Sequence, residues 1–121
     1  GKEGDVLGLE VNMRPAGGYT PDMYNYSQET DVYKIWADMV CFDTNTKPTG
    51  AHHFCAFYGR RDGTRYKLDD YEIMMKYAGH IVMNGRIPDA LSGAMANQMY
   101  VATFDTQEEL DAFYRDLSEQ L

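Results

Sequence analysis

Residues 98–117 read QMYVATFDTQEELDAFYRDL, and two hydrophobic periods meet inside them. Gln98 to Phe104 alternates with a period of two, which predicts a strand. Asp105 breaks the run. Thr106-Gln107-Glu108-Glu109 then forms a capping-box pattern, a Thr followed three residues later by Glu. Beyond it Leu110, Phe113, Tyr114 and Leu117 recur at helical spacing and predict the buried stripe of a final helix.

Working back from that unit, His80 to Asn84 predicts a further strand, with Gly79 before it and an Asn84-Gly85 turn after it. Pro88 to Asn97 reads as a loop. A helix is expected from Asp69 or Asp70 to about Tyr77, closed by Gly79. Ala51 to Arg60 predicts a strand that turns at Arg61-Asp62-Gly63-Thr64 into a return strand, Arg65 to Leu68. Asp31 is placed to cap a helix ending near Asp43, with Val32, Ile35, Trp36, Met39 and Val40 as its core stripe. Thr44 to Gly50 is a turn-rich loop. The resulting order implies an α+β fold, a mostly antiparallel sheet with flanking helices.

The chain has 121 residues, enough for a real core, and 44% of them are hydrophobic. Its net charge of -8 argues against nucleic acid or an anionic membrane as partner. No apolar run reaches membrane-spanning length, and no secretory signal is visible at Gly1-Lys2-Glu3-Gly4-Asp5. Cys41 and Cys55 in a chain with eight Met point to free buried thiols in a reducing cytoplasm. A disulfide between them stays open at this level. An opening Gly1 in place of Met leads us to expect a piece of a longer protein.

The stretch with the most chemistry is Leu7 to Met23, LGLEVNMRPAGGYTPDM. Leu7, Leu9, Val11 and Met13 alternate with Gly8, Glu10, Asn12 and Arg14, which predicts a half-buried strand over Val6 to Met13. Glu10 and Asn12 share a face and offer oxygen ligands of the kind Mg²⁺ takes beside nucleotide phosphates. Arg14 follows on the same face, and its planar fork suits phosphate or carboxylate. Gly17 and Gly18 let backbone approach an anion. Thr20-Pro21-Asp22 starts a short helix to about Ser27 whose positive end points the same way. From spacing alone a surface ladder of Glu10, Asn12 and Arg14 is an equal reading.

The pattern Glu10-x-Asn12-x-Arg14, the Gly17-Gly18 turn and the Pro21-Asp22 helix start, followed by the Asp31 helix, resemble the last active-site strand of the ATP-grasp superfamily. The resemblance covers roughly Leu7 to Met39. It implies that Glu10 and Asn12 bind the Mg²⁺ of Mg-ATP. It also implies that Arg14 is the catalytic contact to the transferring phosphate or acyl phosphate, with Gly17 and Gly18 near the anion. It further implies that residues 1–43 end an ATP-grasp domain and that residues 44–121 form a C-terminal α+β subdomain packed on it. The phosphate-binding lysines and a further acid would come from upstream subdomains of the same chain, so the 121 residues alone are expected to be inactive.

Within that superfamily the Gly-Gly and Pro-Asp features are nearest to carboxylate–amine ligases. The alternatives are carbamoyl-phosphate-synthase-like or biotin-carboxylase-like phosphorylation of bicarbonate. Phe54-Cys55-Ala56 stands where biotin carboxylase carries Glu-Cys-Arg, and Pro15-Ala16-Gly17-Gly18 replaces its Gln-Val-Glu-His turn. A non-catalytic binding or dimerisation module is the reading from a different class.

Other candidates have plainer readings. Arg60, in the basic run Arg60 to Arg65, could reach an anionic substrate, but a solvated hairpin tip is the favoured reading. His53 with Cys55 could form half of a zinc site, but no second pair sits at ligand spacing, so core and rim packing is the favoured reading. His80 reads as structural. Tyr19, Tyr24, Tyr26 and Tyr33 read as packing, and Asp22 as favouring a helix start. The small-residue stretch Ser92 to Met95 is expected to lie against another backbone or at a homodimer contact.

Overall fold

The computed structural model describes residues 3–121. It is α+β, with the order α1 (Thr20–Gln28), α2 (Val32–Phe42), β1 (Phe54–Arg60), α3 (Asp70–Lys76), β2 (Ile81–Arg86), α4 (Asp89–Met95), β3 (Gln98–Phe104) and α5 (Gln107–Ser118). The strands form one antiparallel sheet in the order β1-β3-β2. β3 is central because both its faces are apolar. Met99, Tyr100, Val101, Ala102 and Phe104 are all buried, as a middle strand with both faces covered requires.

β3 pairs along its whole length with β1, from Phe54 opposite Phe104 to Arg60 opposite Gln98. Its other edge takes β2, with a register shift between Ile81 and Met83. One sheet face carries Ala56, Tyr100, Ala102 and Phe104 against Ile73 and Tyr77 from the α3 region and Phe113 and Leu117 of α5. Tyr77, Phe104 and Phe113 meet with ring centroids 5.0–6.1 Å apart, Tyr77 edge-on to both phenylalanines. Burial of a side chain such as Phe113, fully out of solvent, is worth about 2–3 kcal/mol.

The opposite face receives α1, where Tyr19 stacks on Phe57 at 6.1 Å. It also receives the end of α4, whose approach Gly59 permits. A Cβ there would come 2.5 Å from the Met95 carbonyl.

Caps set the helix starts. Asp31 accepts from the Lys34 N–H, and Asp69 from the Glu72 N–H while Glu72 reaches back to Asp69 N–H. Thr106 accepts from the Glu109 N–H, as expected. α1 is capped by Tyr19, one residue earlier than Thr20 and without a side-chain bond.

Several expectations fail. Val6 to Met13 forms no strand. It is irregular and exposed, with Leu9 fully open to solvent. Its alternation is real, but a strand also needs a neighbour for its N–H and C=O groups, and among the described residues none pairs with it. The α2 stripe is no core: Val32 and Ile35 are half-buried, while Trp36, Met39 and Val40 are exposed. α2 packs chiefly on α1, so its apolar face has little to cover it. Arg65 to Leu68 is not a return strand. Its backbone bonds go to the chain's tail, Lys67 N–H to Glu119 O and Leu121 N–H to Arg65 O. Asn84-Gly85 lies inside β2 instead of turning, and the expected loop at Pro88 to Asn97 contains α4.

Candidate functional site

Glu10, Asn12, Arg14, Gly17 and Gly18 all lie in the exposed segment that leads into α1. Gly18 has a φ of 62°, a left-handed conformation that suits glycine, and turns the chain into the helix. α1 then begins at Thr20, with Pro21 in its first turn and Asp22 the acid there. Arg14 donates from Nη1 to its neighbour's carbonyl, Pro15 O, at 3.3 Å. It is one of the residues lining a cleft of about 180 Å³, together with Pro15, Ala16, Val32, Ile35, Trp36 and Met39. The cleft forms where α2 packs on α1, which itself rests on β1 of the sheet. Four of the five α2 stripe residues, all but Val40, become a wall instead of core.

The structure therefore joins Arg14 to the apolar faces of α1 and α2. Among the described residues there is no group of three or more His, Cys, Asp or Glu side chains placed to hold a metal. Glu10 and Asn12 remain a pair of oxygen donors. A carboxylate and an amide carbonyl are among the ligand types that a hard, hydrated cation such as Mg²⁺ takes.

Arg60 sits elsewhere and does something else. It is buried, with 5% of its surface exposed. Nε donates to Leu117 O at 3.1 Å, Nη1 to Leu68 O at 2.8 Å and Nη2 to Asp116 O at 3.3 Å. Its guanidinium lies 4.3 Å from the Tyr66 ring centroid. A cation on the carbonyls of the last turn of α5 completes that helix end. Arg60 thus borders a larger polar cleft of about 500 Å³ with its donors already engaged. The other groups there are also paired: Arg86 grips Asp62 at 2.8 and 2.5 Å, and Tyr100 donates to Asp70 at 2.5 Å. Burial, then the Asp70 carboxylate, hold the Tyr100 hydroxyl far above the ordinary tyrosine range.

One cluster escaped the sequence reading. His53 sits between two carboxylates, Nε2 2.9 Å from Glu29 and Nδ1 2.9 Å from Asp105. The Glu29 hydrogen bond, then that of Asp105, raise the His53 pKa above its ordinary value. Glu29 is lowered by His53 first and by the Ala51 N–H second. Around it His53 N–H donates to Ser27 O, and Ser27 Oγ to His53 O, so the loop before β1 is tied to α1. The signal was the pairing of Phe54 with Phe104, which sets His53 opposite Asp105. That follows only once the register is known. Cys55 is not a partner in the cluster, and burial pushes its thiol up to about 11. Cys41 and Cys55 are both free thiols, but the expectation that both are buried fails: Cys41, on the largely uncovered α2, is exposed, and Cys55 is half-buried.

No helix among the described residues is long and apolar enough to cross a membrane. No family model, curated protein or solved structure matches the chain.

Proposed function

We propose that this chain is the C-terminal part of an ATP-grasp ligase that activates a carboxylate as an acyl phosphate for attack by an amine. The observation that carries the reading is Glu10-x-Asn12-x-Arg14 running through Gly17-Gly18 into an α-helix whose first turn holds Pro21 and Asp22. The row Leu7, Leu9, Val11 and Met13, exposed and unpaired here, fits a strand that is added to the sheet of upstream subdomains. The exposed Tyr33, Val40 and Phe42 of α2 fit the same contact.

In this reading Glu10 and Asn12 would hold Mg²⁺, which would supply charge neutralisation at the nucleotide phosphates. Arg14 binds the oxygens of the phosphoryl group in transit through its guanidinium fork. A carboxylate oxygen attacks the γ-phosphorus as the bond to ADP breaks. The amine then attacks the carbonyl carbon, phosphate departs, and the amine nitrogen loses a proton. Gly17, Gly18 and the N-terminal N–H groups of α1 offer anion contacts beside Arg14.

ADP release by the full-length gene product with Mg-ATP tests the proposal, with bicarbonate, single carboxylates, and carboxylate–amine pairs as the panel. Release that needs an organic carboxylate plus an amine, and is lost in Glu10→Gln and Arg14→Ala, is expected. Release driven by bicarbonate alone would replace the ligase reading with carbamoyl-phosphate-like chemistry. Silence across the panel would favour a binding module.

A further inference from the structure

We infer that the cleft beside Arg14 seats the apolar tail of an amphiphilic monocarboxylate, whose carboxylate lies at the Arg14 guanidinium. The inference rests on the ligase reading for its consequence, that this carboxylate is the one phosphorylated. The site itself stands on geometry. Its lining is apolar apart from Tyr24 and the exposed Arg14, with Val32, Ile35, Trp36 and Met39 of α2 among its walls. An apolar recess with one cation in its lining complements a ligand that is greasy at one end and anionic at the other.

Size narrows the class further. An apolar cavity of roughly 150 Å³ accommodates one benzene ring. The cleft, at about 180 Å³, therefore has room for one phenyl group or a branched alkyl chain of similar bulk. Bicarbonate and acetate would leave it empty. A dicarboxylate would bring a second charge against Ile35 and Met39, which is unfavourable without a partner.

Trp36 is the only tryptophan in the chain, so its emission reports this cleft. The test titrates the 121-residue protein with 3-phenylpropionate, 4-methylpentanoate, acetate, succinate and the neutral 3-phenylpropanamide. The expected result is a saturable change with the first two and none with acetate or succinate. The amide, and Arg14→Ala with 3-phenylpropionate, should bind roughly tenfold or more weakly, the loss of one charge-assisted contact. Met39→Glu, at a half-exposed position that tolerates a polar residue, should abolish the response while far-UV circular dichroism stays unchanged.

No saturable change with either apolar carboxylate overturns the inference. So does an equal response to acetate, or indifference to both substitutions. A Trp36 signal that changes with protein concentration alone would make a second copy of the chain the occupant and also overturn it. In the full-length protein, ADP release that prefers small polar carboxylates sinks the inference and leaves the ligase reading standing. Saturable binding in a protein that never releases ADP keeps the cleft and sinks the ligase reading.

Discussion

Replacing Arg60 with Met tests whether this arginine holds the fold together or serves a ligand. The side chain is 5% exposed and donates three hydrogen bonds, all to backbone carbonyls. The bond to Leu117 O is fully buried, so losing it strands a carbonyl at a cost of about 2 kcal/mol. The bonds to Leu68 O and Asp116 O are part-buried, water can replace them, and each is worth about 0.5 kcal/mol. Losing the contact with Tyr66 adds about 0.5 kcal/mol. The sum is about 3–4 kcal/mol, a large share of the roughly 5–15 kcal/mol typical of a domain. Urea unfolding followed by circular dichroism reads it as a midpoint lowered by about 2 M for a slope near 1.5 kcal/mol per molar. Arg60→Lys should fall between the two, because an ammonium keeps the charge but not the fork. A loss under about 1 kcal/mol at unchanged slope would refute the reasoning and return Arg60 to the candidates for ligand binding.

Three further outcomes are expected. His53 has a raised pKa, so its pairing with Glu29 and Asp105 contributes stability fully present below its unfolded value near 6.5 and lost as pH rises through the folded value. Melting temperature should fall across that window in the wild type and stay flat in His53→Gln. An NMR titration placing His53 at or below 6.5 would contradict this. Cys41 is exposed whereas Cys55 is half-buried with its thiol near 11, so a thiol reagent at pH 8 should modify Cys41 rapidly and Cys55 only slowly, read by mass spectrometry of peptides. Phe113→Ala should cost about 3–5 kcal/mol in chemical unfolding, because the ring is fully buried between Tyr77 and Phe104. A cost below about 1 kcal/mol would mean that this aromatic layer is not the core.

The elements with local signals were legible. β3 and α5 carried a period change and a cap in adjacent residues, and the Asp31 and Asp69 caps marked two further helix starts. What failed depended on neighbours. Val6 to Met13 has the alternation of a strand, yet pairing is a property of two segments, and no described segment lies alongside it. The α2 stripe has core spacing, yet burial depends on what packs there. Arg60 reads as surface in a basic run, because sequence does not disclose that the end of α5 and the loop at Leu68 converge on it. The Glu29–His53–Asp105 cluster joins residues 24 and 52 positions apart through strand register. Of the candidate site, the Glu10, Asn12 and Arg14 pattern was visible from spacing, while the cleft at Trp36 needed two helices placed against each other.

The central claim is that a carboxylate is activated by phosphorylation at Arg14. The most direct measurement gives the full-length protein Mg-ATP, an amine, and an apolar carboxylate labelled with ¹⁸O in both oxygens, and analyses the phosphate released by mass spectrometry. The account predicts phosphate carrying one ¹⁸O in wild type, and no labelled phosphate above background in Arg14→Ala. ATP consumed with unlabelled phosphate, or labelled phosphate undiminished in Arg14→Ala, would contradict it.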